Sequence, residues 1–152
     1  MRKTMNHTRG TLVALAATGA AAALLTGPAA PGAAAAGGYG CSVLTGVRWA
    51  GNGSATWTWV GRNTVNPVTF TVTDTRADRH AVGARLVTVR RDDSTHYWPW
   101  KVNASGNGKT NEFGTHATDS GGIKGARIQV AVLEGGSVVG SCDTPYTRNP
   151  RS

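Results

Sequence analysis

Residues 68–73 read Val-Thr-Phe-Thr-Val-Thr, an alternation of apolar and polar side chains that suits a β-strand with one buried face. The same period of two recurs from Val43 onward. Ala55, Trp57 and Trp59 alternate with Thr56, Thr58 and Val60, and Val47 and Trp49 share a face. His96, Trp98, Trp100 and Val102 alternate with Thr95, Tyr97, Pro99 and Lys101. Ala126, Ile128, Val130 and Val132 alternate with Arg127, Gln129, Ala131 and Leu133. Residues 80–91 are apolar in two phases, first Val82, Ala84 and Leu86, then Val87 and Val89, as a bulge between them would produce. Residues 111–118 form a weaker strand.

Turn chemistry separates these segments at Gly51-Asn52-Gly53-Ser54, Arg62-Asn63, Arg91-Asp92-Asp93-Ser94, Ser105-Gly106-Asn107-Gly108, Asp119-Ser120-Gly121-Gly122 and Gly135-Gly136-Ser137. No window past residue 36 keeps a helical period. Seven or eight short strands predict an all-β antiparallel sandwich over residues 37–143, with a small β-barrel as the alternative. Pro67 and Pro99 are expected on edge strands or strand starts, because proline cannot donate to a ladder. Residues 144–152 are polar, contain two prolines and are expected to form a flexible tail. Neither an internal repeat nor a linker between two domains is evident.

Residues 1–36 read as a helical signal peptide. Arg2, Lys3 and Arg9 give a positive start, residues 11–25 are uncharged and mostly apolar, and Ala34-Ala35-Ala36 supplies small residues for cleavage. The apolar run is shorter than the ~20 residues a transmembrane helix needs. The leader has no Arg-Arg pair, so export by the general secretory route and release outside the cell are expected. Removing 36 of 152 residues leaves 116, the size of one domain.

In an oxidising compartment the two cysteines, Cys41 and Cys142, point to an intrachain disulfide, with an interchain bridge or two free thiols as alternatives. The leader carries three of the 16 Lys and Arg residues, leaving 13 against 8 Asp and Glu, a net charge of +5. That balance favours anionic surfaces, yet only Arg90-Arg91 forms a pair. The scatter fits solubilising charge better than a dedicated polyanion site, and no nucleic acid partner is expected.

Catalytic signatures are missing. His80, His96 and His116 form no short ligand motif, no serine sits in a G-x-S-x-G elbow, and only Glu112 and Glu134 are glutamates. Neither catalytic nor metal-ligating residues are assigned and no cofactor is expected. Asp74 and Asp78, four residues apart, could bind calcium, but Arg76 and Arg79 neutralise them and Asp commonly caps turns through backbone amides.

The aromatic residues carry the functional signal. Trp57-Thr58-Trp59 and Trp98-Pro99-Trp100 place two rings at i and i+2, which on a strand form one flat surface suited to stacking on sugar rings. Trp49, Trp57 and Trp59 are assigned to the core, because their strands alternate with Thr and Arg. Trp98, Trp100 and the adjoining Tyr97 are the candidate ligand-binding residues.

Asp74-Thr75-Arg76-Ala77-Asp78-Arg79-His80, Val89-Arg90, the turn at residues 104–109 and Gly140-Ser141-Cys142 together resemble small secreted β-domain proteins of actinobacteria, over roughly residues 68–143. Many of those proteins have Gly where Arg79 stands. The resemblance implies secretion and a compact β domain and brings no catalytic residues with it. The expected function is a monomeric, non-catalytic extracellular module for polysaccharide or anionic cell-wall polymer. The alternatives are a protein-binding inhibitor presenting the loop from Arg91 to Tyr97, and a hydrolase whose site only the fold assembles.

Overall fold

The computed structural model describes residues 34–152, with side-chain environments from Tyr39 onward. The expected leader lies outside the described residues as far as residue 33. Among the described residues the chain forms ten strands: β1 (Ala34–Thr45), β2 (Arg48–Trp59), β3 (Thr64–Asp74), β4 (Ala81–Arg90), β5 (Thr95–Tyr97), β6 (Lys101–Asn103), β7 (Thr110–Thr118), β8 (Ile123–Glu134), β9 (Ser137–Asp143) and β10 (Thr147–Arg148). Seven are long; β5, β6 and β10 are fragments of two or three residues. The protein is an antiparallel β-sandwich. One sheet has the order β1-β2-β3-β7, the other β10-β8-β4-β5, with β6 also pairing β4 and β9 also pairing β8.

The alternation that marked the strands also sorts their faces. Trp57, Trp59, Val65, Val68, Phe70 and Val72 from the first sheet meet Val82, Ala84, Leu86, Ile128, Val130 and Val132 from the second in one core. Trp49 does not join them; it is 61% exposed beside the turn at Gly46-Val47, where β1 reverses into β2. The reversal was expected at residues 51–54, but these lie inside β2. Gly51 and Gly53 face the second sheet, and a Cβ on either would come within 2.4 Å of Val82 or 2.8 Å of Val130. These glycines serve close approach between sheets, not a turn.

Two other expectations change for similar reasons. β4 pairs with β8 without interruption from Ala81 to Val89, so no bulge separates Leu86 from Val87. Its two apolar phases are its two faces, both buried at this central strand. Pro67 lies in β3, an interior strand. The register slips there against both neighbours, between Trp57 and Trp59 and between Val65 and Val68, so no ladder bond is asked of it.

Pro99 does lie at an edge, and it breaks that edge. β5 and β6 are two pieces of one strand along β4, separated by Trp98-Pro99-Trp100. The opposite edge is broken in the same way: β9 and β10 run along β8, separated around Pro145. The two breaks share a local pattern, Pro99-Trp100-x-x-Asn103 and Pro145-Tyr146-x-x-Asn149, so the chain does contain a short internal repeat. Each asparagine is buried. Asn103 donates its amide to the carbonyls of Val72 and Lys109 and accepts from the Ser105 amide. Asn149 donates to the carbonyls of Gly61 and Ile123 and accepts from the Arg151 amide. Residues 144–152 are therefore docked and do not form the flexible tail expected of them.

A disulfide joins Cys41 on β1 to Cys142 on β9, tying the two sheets along one side. Reducing it should lower the unfolding free energy by up to ~4.7 kcal/mol, the chain-entropy value for a loop of about 100 residues, as denaturant titration with and without reductant would measure. Gly51→Ala should cost about 1–3 kcal/mol in the same assay, because the added methyl overpacks against Val82. An unchanged midpoint would show that the sheets can move apart freely.

Candidate functional site

The candidate site forms at the two broken edges of the second sheet. Where a ladder stops at a proline, the flanking side chains need not alternate. Trp98 turns inward: its indole N–H donates to Thr88 Oγ1 at 3.0 Å and its ring packs against the core. Trp100 turns outward onto the other face of β4, above Gly83, where an added Cβ would meet Trp100 Cε3 at 3.4 Å and Leu133 Cδ1 at 3.0 Å. The expected Trp98–Trp100 platform therefore does not form. The ring that shares a surface with Trp100 is Tyr97, which is half exposed.

Between them stands Arg85, a charged residue within the apolar run of β4. Its guanidinium carbon lies 4.4 Å from the Tyr97 ring centre and 4.3 Å from that of Trp100, both cation–π distances. Nε and Nη2 of Arg85 both donate to Gln129 Oε1, at 2.9 and 2.7 Å, fixing the guanidinium plane. Further along the same face Arg127 Nε lies 3.2 Å from Asp143 Oδ1. Tyr146, the aromatic of the second proline break, lies over Gly125, where a Cβ would fall 2.3 Å from its ring and hydroxyl. The outer face of the second sheet thus carries three aromatic rings interspersed with Arg85, Arg127 and Gln129. Of these only Tyr97 and Trp100 were singled out from sequence. The overlooked signal was polarity: Arg85 interrupts an apolar strand, and Arg127 and Gln129 occupy the solvent phase of β8.

The remaining candidates have structural partners. Asp74 Oδ1 accepts from the Arg76 amide and Asp78 Oδ1 from the His80 amide, two consecutive turns held by carboxylates. Arg79 adopts φ +66°, a left-handed conformation that suits glycine. The hydroxyls of Ser94 and Ser105 bond to Asp92 and Asn111, not to a histidine. His80 lies 3.2 Å from Asp78, His96 Nδ1 lies 2.9 Å from Arg90, and His116 lines a cavity. Among the described residues no three His, Cys, Asp or Glu side chains converge as a metal site would require. The cavity beside His116, about 190 Å³ and mostly apolar, lies between the sheets and is walled by Phe70, Leu86, Trp98 and Lys101.

Compared with known proteins, the chain matches no family model, no curated protein and no solved structure.

At the end of the sandwich near β10, Arg90 is neutralised by Asp119, with Nε 2.7 Å from Oδ2. Burial disfavours the Asp119 carboxylate, but bonds from Arg90 and the Gly121 amide outweigh it and hold the carboxyl below its ordinary range. A depressed folded-state value contributes stability above the unfolded value, near 3.9, and loses it as pH falls through the folded one. Asp119→Asn should therefore lower stability by about 1–3 kcal/mol at neutral pH. Thermal melts from pH 7 to 2 should show the gap to wild type closing below about pH 4. A gap that persisted into acid would assign the loss to packing and not to charge.

Proposed function

We propose that the protein is a secreted, non-catalytic binding module that holds polysaccharide on the outer face of its second sheet. The observation that carries this reading is the fixed arrangement of Tyr97, Arg85 and Trp100, with the guanidinium within 4.4 Å of both ring centres and anchored on Gln129. A sugar ring offers an apolar C–H face and a rim of hydroxyls. The half-exposed Tyr97 ring and the partly exposed Trp100 ring suit the first, and planar Arg and Gln groups suit the second. Because the rings lie over Gly83 and Gly125 on a rigid sheet, little side-chain freedom is left to lose on binding. Export fits the disulfide, a bond characteristic of oxidising compartments, and among the described residues no helix is long and apolar enough to cross a membrane.

One observation favours a second reading, an extracellular protein partner. Leu44, Val47 and Trp49 project from the β1–β2 turn at 48%, 95% and 61% exposure, a small apolar prominence.

Retention of the purified protein on insoluble polysaccharides and whole cell walls separates the two. Stacking on each ring should contribute on the order of 1–3 kcal/mol, taking the magnitude known for bases on aromatic side chains, so Tyr97→Ala/Trp100→Ala should release the protein. Trp98→Ala should reduce stability while leaving binding by the folded fraction intact. A folded Tyr97→Ala/Trp100→Ala protein retained like wild type would refute the face as a glycan site. Retention lost only in Val47→Ser/Trp49→Ser would support the protein-partner reading.

A further inference from the structure

Three basic residues far apart in sequence, Arg91, Lys124 and Arg148, are gathered by the fold. β10 pairs Arg148 with Gly125 of β8, the Asn149 amide bonds the Lys124 carbonyl, and the Gly122 backbone lies against Arg91. Arg91, Lys124, Arg148 and Ser152 thereby line one open cavity of about 370 Å³ at the end of the sandwich. Its charges are unevenly balanced. Lys124 is paired with Asp93, and Asp119 is already engaged by Arg90. Among the described residues the Arg91 and Arg148 side chains have neither an ion pair nor a hydrogen bond.

We propose that this cavity is a binding site for a phosphate ester group. Two guanidiniums converging on one concavity present planar donor forks that match phosphate oxygens in pairs, and the Lys124 ammonium supplies a third positive group. Arg91 lies in the turn after β4 and Arg148 in β10, which pairs with β8 and is held by the buried Asn149, so the scaffold sets where the two side chains start. Tyr146 lies beside Arg148 over Gly125 and connects the cavity to the aromatic face. A phosphate-bearing polysaccharide could therefore engage both, its sugar on the rings and its phosphate in the cavity. The phosphate site stands on its own charges and does not require the glycan reading.

The experiment is affinity electrophoresis of the purified protein in gels containing polyglycerol phosphate, a phosphodiester polymer, or polygalacturonate, a carboxylate polymer, at matched charge. The expected result is stronger retardation by polyglycerol phosphate, weakening between about 50 and 200 mM salt as ionic contacts are screened. Arg91→Ala/Arg148→Ala should weaken it by about tenfold or more, since both charge-assisted forks are lost. Arg91→Lys/Arg148→Lys should bind less tightly than wild type despite its equal charge. Tyr97→Ala/Trp100→Ala should bind inorganic phosphate and polyglycerol phosphate as wild type does, which separates this site from the glycan face. Equal retardation by polygalacturonate, an undiminished Arg91→Ala/Arg148→Ala protein with native circular dichroism, or lysine variants equal to wild type would each overturn the phosphate assignment.

Discussion

Proline has no N–H to give to a ladder, and both edges of the second sheet are interrupted at one. That single deficiency shapes the outer face of the sheet. At Pro99 and at Pro145 the chain leaves the ladder, throws an aromatic side chain onto the outer face, re-enters for two or three residues, and is then pinned by a buried asparagine. A continuous edge strand would have kept Trp98 and Trp100 on one side and left a long unpaired edge exposed to other chains. The breaks shorten the edges and, at the same positions, supply the rings of the proposed binding face.

The aromatic placement depends in turn on glycine. Gly83 and Gly125 stand on the central strands where Trp100 and Tyr146 lie down, and Gly51 and Gly53 stand where Val82 and Val130 of the facing sheet come close. On one face their missing side chains admit a ring, on the other the valines of the opposing sheet. The sheets meet closely at the glycine end of β2, while Trp57 and Trp59 fill the space at its other end. The Cys41–Cys142 bond lies on the same side of the sandwich as β1 and β9, the outermost strands of their sheets there.

Much of the fold was legible because burial imposes alternation. Residues 68–73 and 126–133 declare their strands and faces without further help, and the paired cysteines near the two ends of the β domain found each other. What could not be read was anything set by a partner across the sheet. Glycines in Gly51-Asn52-Gly53-Ser54 have the composition of a turn, and only the valines opposite show that they are strand. Trp49 alternates like a core residue, yet its strand emerges from a turn where no second sheet covers it. Trp98 and Trp100 have the spacing of a shared face, but that rule holds only for an unbroken strand, and the intervening proline breaks it. The repeated Pro-aromatic-x-x-Asn pattern was present in the sequence. Five residues, three of them variable in kind, do not stand out until two copies are seen doing the same thing on opposite edges.

The two asparagines connect stability to the site most directly. An amide buried without partners would cost free energy, so each is tolerated only because both its donors and its acceptor are satisfied by backbone. Those bonds reach across the molecule: Asn103 reaches the carbonyl of Val72 in the first sheet, and Asn149 reaches that of Gly61 in the β2–β3 turn. Each asparagine thus ties a short, weakly paired strand to the opposite sheet. Without that tie β10, two residues long, would have too few ladder bonds to hold Tyr146 and Arg148 in place. The outer face and the basic cavity are in this sense surface consequences of polar groups satisfied in the interior. Arg148, distant in sequence from Arg91 and Lys124, reaches them because Asn149 and the β10 ladder hold it against β8.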